Sequence, residues 1–248
     1  MQSLVAGSYN TALGTSSLLS LANGDRNVSL GVSSAVVFTT GDDNSSVGTN
    51  ALFKLTTGDR NTTIGSASQK NLELGDDNTS VGYSALKGSD TGAGVFDFSK
   101  NVGIGVNTGA DLRDGANNNI LIGYGAGETV TTGANNIIIG YEIDAQANTD
   151  SNKLIIGNLI FGTAIDGTGT GLSSGNIGVG VVAPATKLHV NGAVTQNELS
   201  ADPANPAEGS YVQWMSDGVG SGDDGDIMVK ITAGGVTKTT TLLDFSTL

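Results

Sequence analysis

The chain has 248 residues, of which 38 are glycine and none is cysteine, and its formal net charge at pH 7 is −13. Abundant glycine with only 5% aromatic and 14% charged residues indicates short strands and many tight turns, and the lack of cysteine excludes disulfides and thiolate metal sites. The acidic balance argues against nucleic acid and anionic membranes as partners, because both would be repelled.

The N-terminal residues carry no recognisable targeting signal. The segment MQSLVAGSYN has neither a basic stretch nor an apolar core, and no apolar run approaches the ~18 residues of a membrane helix. We therefore expect synthesis in the host cytoplasm without a signal peptide, and no membrane insertion.

A five-residue motif recurs along most of the chain: Asn, two variable residues, an aliphatic residue and Gly. In the first block the motif ends every 17 residues, at Gly14, Gly31, Gly48, Gly65 and Gly82. It then ends, with spacings of 18, 17, 17 and 23, at Gly105, Gly123, Gly140, Gly157 and Gly180. Asn opens nine of the ten motifs, and Lys153 replaces it in the other. Such a period indicates a solenoid whose coils stack on one another.

Alignment on this period places apolar residues in columns. One column is aliphatic in all ten coils: Leu13, Leu30, Val47, Ile64, Val81, Ile104, Ile122, Ile139, Ile156 and Val179. A second column contains Leu21, Phe38, Leu55 and Leu72, and a third contains the small residues Ser17, Ser34, Ala51, Ser68 and Ala85. Two apolar positions per coil, each near a glycine turn, predict two short strands with a narrow core between them. The predicted fold class is therefore all-β, a parallel β-solenoid about 50 Å long at the strand spacing of ~4.8 Å.

The turn before each early motif reads GDRN or GDDN. Its third position alternates in charge along the chain, in the order Arg26, Asp43, Arg60 and Asp77. Each Arg offsets neighbouring carboxylates only if residue i lies on residue i+17, so the alternation predicts the register of stacking. Asn and Gly suit such tight turns, and the structural positions of the repeat are Asn27, Gly31, Asn44, Gly48, Asn61, Gly65, Asn78 and Gly82.

A single coil buries too few apolar side chains to offset the conformational entropy lost when its backbone becomes ordered. Neighbouring coils and ladder hydrogen bonds narrow this gap. Because the predicted core is thin, we expect the chain to pack on further copies of itself, most simply as a homotrimer.

Two coils are about six residues longer than the rest, at 88–100 and 158–175. Insertions in repeat proteins form loops on one face, which is often a binding face. Their apolar residues either contact a receptor or, alternatively, cover a neighbouring chain or fill a groove. The residues concerned are Phe96, Phe98, Ile160 and Phe161.

The repeat is expected to end near residue 183, since all three prolines of the chain follow it. We assign 1–183 to the solenoid, 184–209 to a junction and linker, and 210–248 to a small C-terminal β domain. Within that domain three segments are strand-like, YVQWMSD, GDIMVKIT and VTKTTTLLDF, and the last two are joined by a hairpin at AGG.

The residue types needed for catalysis are scarce. The single histidine, His189, lies in the strand-like segment KLHVNGAV, and a zinc site would need further His or Cys ligands. Paired carboxylates at 42–43, 76–77 and 223–226 are candidate Ca²⁺ ligands. None matches an EF-hand or the nine-residue Ca²⁺-binding repeat, and solvated turns are the favoured interpretation. We therefore predict a non-enzymatic protein without a cofactor.

The coils and their GDRN and GDDN turns resemble the left-handed β-roll heads of trimeric autotransporter adhesins and similar repeats of bacteriophage tail fibres. The junction GNIGVGVVAPATKLHVNG at 175–192 is similar to the passage that closes such repeats in phage fibres. The segment that begins at YVQWMSD is similar to C-terminal segments of marine phage structural proteins. This resemblance covers nearly the whole chain, and it implies a parallel homotrimer in a virion appendage that becomes extracellular after release.

The resemblance also implies a structural fibre that helps to bind the host surface, with other virion proteins and a host glycan or protein as partners. Receptor contacts are then expected in the two long loops, around the single tryptophan or at 217–226. The candidate residues are Phe96, Phe98, Phe161, Trp214, Asp223 and Asp224. The alternative is a purely architectural capsid or tail decoration protein. A polysaccharide depolymerase, which would need paired carboxylates in a groove, and a bacterial surface adhesin are less favoured.

Overall fold

A computed structural model describes residues 7–91, 95–199, 201–219 and 221–244, which form an all-β structure without a helix. The side chains of Glu198 and Asp224 lie outside the description. The chain divides into a solenoid unit, Met1–Asn191, and a C-terminal unit, Gly192–Leu248.

The solenoid unit contains one twelve-stranded sheet in which strand order follows chain order. Its strands are β1 (Thr11–Leu13), β2 (Val28–Leu30), β3 (Ser45–Val47), β4 (Thr62–Ile64), β5 (Thr79–Val81), β6 (Val102–Ile104), β7 (Ile120–Ile122), β8 (Ile137–Ile139), β9 (Leu154–Ile156), β10 (Ile160–Gly162), β11 (Ile177–Val179) and β12 (Leu188–Val190). From β1 to β9 all neighbours are parallel. The predicted parallel solenoid with coils of about 17 residues is thus confirmed.

Each repeat coil contributes one three-residue strand, not the two that were predicted. The rest of the coil turns through left-handed backbone positions, for example Ser33 at φ 54° and Ala35 at φ 50°. Hydrogen bonds between coils nevertheless continue through the turns, because Ser33 N donates to Thr15 O at 2.8 Å and Ala35 N donates to Ala51 O at 2.9 Å. Hydrogen bonds to the neighbouring coils therefore fix the turns of each coil as well as its strand.

The interior of the solenoid is lined by the second and third columns, as predicted. Leu21, Leu55 and Leu72 are fully buried, and so are the small residues Ser34 and Ala51.

The prediction that the aliphatic column lines the core is wrong, because this column faces outward. The middle residue of each strand points inward instead, and in β2 to β5 this residue is a buried Ser or Thr. Adjacent strand residues point to opposite faces, so the aliphatic third residue, such as Ile64, points away from the core.

The winding is interrupted after β9. The backbone turns sharply at Gly157 and Asn158, both with positive φ, and β10 runs antiparallel to β9 and β11. The segment 158–175, which was expected to be a loop, therefore begins with a sheet strand. The sheet continues through β12, which pairs with β11 in parallel, so the solenoid unit extends beyond residue 183.

The C-terminal unit is a four-stranded sheet of β13 (Glu198–Leu199), β14 (Ser210–Asp217), β15 (Asp224–Ala233) and β16 (Val236–Leu243). Its last three strands are antiparallel neighbours and agree with the three predicted segments. The hairpin between β15 and β16 turns at Gly234 and Gly235, whose φ values of 61° and 73° suit a two-residue turn.

Candidate functional surfaces

The repeat asparagines form a buried ladder inside the solenoid. Asn44 N and Asn44 Nδ2 both donate to Asn27 Oδ1, at 2.9 and 3.2 Å, and Asn44 Nδ2 also donates to Gly58 O at 2.8 Å. The same pattern recurs at Asn61 and Asn78. These side chains satisfy backbone groups of the turns and face no solvent, so their role is structural.

The repeat glycines bring the backbones of successive coils into contact. A Cβ added to Gly31 would lie 2.5 Å from the carbonyl oxygen of Gly48, and a Cβ added to Gly48 would lie 2.5 Å from that of Gly65. Their φ values of 139° and 138° are also rare for residues with a side chain. Glycine is required here for both reasons.

The predicted charge ladder is present at the turns. Arg26 donates to both carboxylate oxygens of Asp43, at 2.6 and 2.8 Å, and Arg60 does the same to Asp77, at 2.6 and 3.2 Å. Each pair joins residues 17 apart, which confirms the predicted register. The arginine hydrogen bonds lower the pKa of Asp43 and of Asp77 below the usual aspartate value.

The aliphatic column forms an exposed stripe, which we call the outer ladder. It contains the ten residues Leu13, Leu30, Val47, Ile64, Val81, Ile104, Ile122, Ile139, Ile156 and Val179. Leu13 is 70% exposed, Ile64 47% and Ile104 42%. Half of the column is only partly exposed, namely Leu30, Ile122, Ile139, Ile156 and Val179. Since the strands from β1 to β9 pair in register, the side chains from Leu13 to Ile156 stack along the sheet. Ile160 of β10 pairs with both Ile156 and Val179 and so lies between the last two members of the ladder.

The aromatic residues predicted to contact a receptor are buried. Phe98 is fully buried, and Phe96 and Phe161 are 7% and 8% exposed, all within one core cluster of the solenoid unit. They leave almost no surface for a receptor to touch, because their side chains pack in the core of the solenoid unit. Ile160 precedes Phe161 in β10 and points to the opposite face of the sheet, where it is partly buried and pairs with Ile156 and Val179.

The exposed apolar residues of the second insertion escaped the sequence analysis. Leu172 is 96% exposed and Leu159 is 56% exposed. The stacked pair Tyr124 and Tyr141 was missed as well, with ring centroids 5.3 Å apart. Both tyrosines directly follow a repeat glycine and lie 17 residues apart, so the repeat alignment itself held the signal for that pair.

The C-terminal candidates fall into two groups. Trp214 is only 3% exposed, with the Lys230 ammonium 5.6 Å from its ring centroid. Asp223 is exposed, and one carboxylate oxygen each from Asp223, Asp226 and Asp244 lie within 4.8 Å of one another. Asp226 Oδ2 also accepts a hydrogen bond from Asp223 N at 2.9 Å, which is ordinary turn chemistry. The side chain of Asp224 lies outside the described residues.

The remaining candidates for chemistry have structural positions. His189 lies in β12 opposite Gly178, and its Nδ1 accepts a hydrogen bond from Ala185 N at 3.3 Å. In the turns, the carboxylates of Asp43 and Asp77 accept hydrogen bonds from Arg26 and Arg60. Among the residues that the structure describes, no helix has the length and apolarity to span a membrane.

Comparisons of the chain with protein-family models, with curated proteins and with solved structures gave no match. The outer ladder and the exposed insertion are therefore interpreted from their own chemistry.

Proposed function

We propose that this chain is a structural fibre protein of a bacteriophage virion, that it acts as a parallel homotrimer, and that it contributes to attachment to the host surface. The observation that carries the proposal is the outer ladder. A long, narrow solenoid with a continuous apolar stripe is suited to lateral packing against copies of itself.

The size of the outer ladder supports self-association. The ladder exposes roughly 600 Å² of apolar surface per chain, at the upper end of the largest patch on a typical monomer, and such patches are often association sites. In a symmetric trimer three such faces would bury roughly 600 Å² at each of the three pairwise contacts, which is less than the ~1,000 Å² of a specific interface. A stable trimer would therefore need contacts in addition to the outer ladder.

The composition of the outward face favours a parallel arrangement. In β3 to β5 the first strand residue, which points outward beside the ladder, is Ser45, Thr62 or Thr79, whereas in β7 and β8 it is Ile120 or Ile137. The face thus becomes more apolar towards the C-terminal coils. Parallel chains bring the apolar parts of the face together, whereas antiparallel chains would place aliphatic residues against hydroxyl groups.

A stiff rod with exposed insertions suits a fibre. In the described part of the solenoid the coils are linked by hydrogen bonds in strands and turns alike, which stiffens the rod along its axis. Leu159 and Leu172 then offer apolar contact points on the second insertion. If the ladder instead contacts other virion proteins, the chain is the architectural decoration protein of the alternative proposal.

The first test is the mass in solution, measured by multi-angle light scattering over a range of concentrations. We expect three times the chain mass of 24.8 kDa. A double variant, Ile64→Lys with Ile104→Lys, should be monomeric because it places six ammonium groups at the threefold contact. The matched control Thr57→Lys lies in an exposed turn and should remain trimeric. A wild-type monomer at every concentration would overturn the trimer.

The attachment role has its own test. Fluorescently labelled protein should bind host cells, and free unlabelled protein should compete with it. A trimer that binds no host cell but binds purified virion proteins would favour the architectural alternative. Sustained release of reducing sugar from host capsule would overturn the non-enzymatic proposal.

A further inference from the structure

We infer that the C-terminal coils of the solenoid carry a binding site for uncharged sugar units of a polysaccharide, formed by the stacked rings of Tyr124 and Tyr141 and by two carboxylates beside them. The inference rests on the proposed attachment to the host surface, because it names the chemical class that this attachment would recognise and the residues that would touch it.

Exposed aromatic and apolar side chains form a stripe along four successive coils, each at the position that directly follows a repeat glycine. Backbone hydrogen bonds fix the alignment, because the residue after a member donates to the carbonyl of the member in the preceding coil. Glu142 N donates to Tyr124 O at 2.8 Å, and Gly125 N donates to Val106 O at 2.9 Å. We call this surface the tyrosine stripe, and its members are Tyr83, Val106, Tyr124 and Tyr141. It holds three of the five tyrosines of the chain, over a length of about 14 Å at the coil spacing of ~4.8 Å.

The stripe ends in an open ring. Tyr124 and Tyr141 stack with their ring centroids 5.3 Å apart and an interplanar angle of 15°, which leaves one face of Tyr141 turned away from its neighbour. Tyr141 is 69% exposed. The next coil does not continue the alignment, because Leu159 N donates to Ile156 O at 3.1 Å within the reverse turn. A sugar ring can therefore lie on the outer face of Tyr141 while the stack holds that face in place.

Two carboxylates lie beside the rings. Glu142 follows Tyr141 directly, and its negative charge raises the pKa of the Tyr141 phenol. A Cβ added to Gly125 would lie 3.3 Å from Glu128 Oε2 and 3.4 Å from Glu142 Cγ, so the two side chains meet over this glycine. Among the residues that the structure describes, neither glutamate forms an ion pair. Since a carboxylate offers about four acceptor positions, both can accept hydrogen bonds from sugar hydroxyls.

An uncharged glycan is the occupant that this chemistry favours. The two glutamates and the net charge of −13 repel acidic sugars, nucleic acids and anionic membranes. A second copy packed on the same surface would bring its own glutamates against these two, and such like-charge contacts disfavour self-association here. An aromatic ring with a negative face, next to hydrogen-bond acceptors, instead matches a sugar, which has weakly positive CH groups on its flat side and hydroxyl donors around its rim.

The test uses the full chain and soluble oligosaccharides of defined charge. Neutral oligomers of glucose, mannose and galactose are compared with an acidic oligomer of galacturonate and with choline, by isothermal titration calorimetry. Tyr141→Ala removes the open ring, and Glu142→Gln removes one negative charge but keeps an acceptor oxygen. Tyr9→Ala is the matched control, because Tyr9 is 85% exposed and lies before the first strand, away from the stripe. The mass of each variant is measured by light scattering.

We expect at least one neutral oligosaccharide to bind, and the galacturonate oligomer to bind at least tenfold more weakly. Tyr141→Ala should weaken the binding of the neutral oligosaccharide by about tenfold or more. Glu142→Gln should weaken it less, and Tyr9→Ala should leave it unchanged. All variants should keep the mass of the wild type.

The inference is wrong if no neutral oligosaccharide binds, if the galacturonate oligomer binds equally well, or if Tyr141→Ala binds as tightly as the wild type. Choline binding that requires Tyr141, without sugar binding, would also overturn it and assign the surface to a cation. A smaller mass for Tyr141→Ala would overturn it in favour of self-association. In each case the proposed function stands if the wild type still attaches to host cells, whereas a chain that binds neither host cells nor any oligosaccharide would refute the attachment role as well.

Discussion

The substitution Gly48→Ala tests whether direct backbone contact sets the spacing of the coils. The new Cβ would lie 2.5 Å from the carbonyl oxygen of Gly65, a distance that Cβ atoms essentially never show. The obstacle is backbone, which cannot rotate away as a flexible side chain would. Alanine at φ 138° is strained in addition.

The expected loss follows from these two effects. Backbone strain at such a φ costs about 1–3 kcal/mol. Separation of these two coils also weakens the hydrogen bonds from Gly65 N to Val47 O and from Ala67 N to Thr49 O, 2.8 and 2.9 Å long, and each such bond contributes about 1 kcal/mol. A total of about 3 kcal/mol or more corresponds to a decrease in Tm of about 6–12 °C for a chain of this size.

The assay is a thermal melt of the full chain followed by circular dichroism. Gly115→Ala is the matched control, since Gly115 has φ 84° but no atom within 4 Å of its added Cβ. It shares the backbone strain and lacks the collision between coils. If Gly48→Ala lowers the Tm no more than Gly115→Ala does, close contact between coils does not set their spacing, and the reasoning is refuted.

Four further predictions concern other parts of the structure. Asn61→Ala should reduce the free energy of unfolding by about 2–4 kcal/mol in a urea titration, because it leaves buried backbone and side-chain groups of the next coil without partners. An unchanged free energy would contradict a structural role for the asparagine ladder. The lowered pKa values of Asp43 and Asp77 mean that their contribution to stability is present above the unfolded aspartate pKa and is lost as pH falls through the folded values. The Tm should therefore fall below about pH 4, and it should fall less when both are replaced by Asn. Phe98→Ala should reduce the free energy of unfolding by about 3–5 kcal/mol, because it opens a cavity in the core. Leu172→Ser, at an almost fully exposed position, should leave the Tm unchanged and reduce attachment to host cells. Retained attachment would show that the second insertion is not part of the binding surface.

The period and register could be predicted because each coil repeats the chemistry of its neighbour. The charges of Arg26, Asp43 and Arg60 make sense only in a stack offset by 17 residues, and the hydrogen bonds occur at that offset. The three C-terminal strands could be predicted because long strands alternate over many residues.

The direction of the strand side chains could not be predicted by the same reasoning. In β4 the aliphatic Ile64 points outward and the hydroxyl-bearing Thr63 points inward. A three-residue strand gives too short an alternation to define its faces, and a narrow interior accepts Ser or Thr as readily as a larger apolar residue. The outer ladder was therefore mistaken for core.

The reversal at β10 and the burial of Phe98 depend on tertiary context. Gly157 closes a repeat motif like any other, yet here it begins a reverse turn with Asn158. Phe98 lies in an insertion that resembles a loop, but its side chain enters the core of the solenoid. Nothing in the local sequence distinguishes these cases from their alternatives.

The alternating turn charges have a consequence for how such a chain changes its length in evolution. Each coil forms the same backbone contacts with the coil before it as with the coil after it. Whole coils can therefore be gained or lost by recombination, and each one changes the length of the rod by about 4.8 Å. The charges, however, repeat only every second coil. Loss of the single coil 44–60 would set Asp43 against Asp77, whereas loss of two adjacent coils would keep Arg beside Asp. We expect duplications and deletions in this part of the rod to involve pairs of coils.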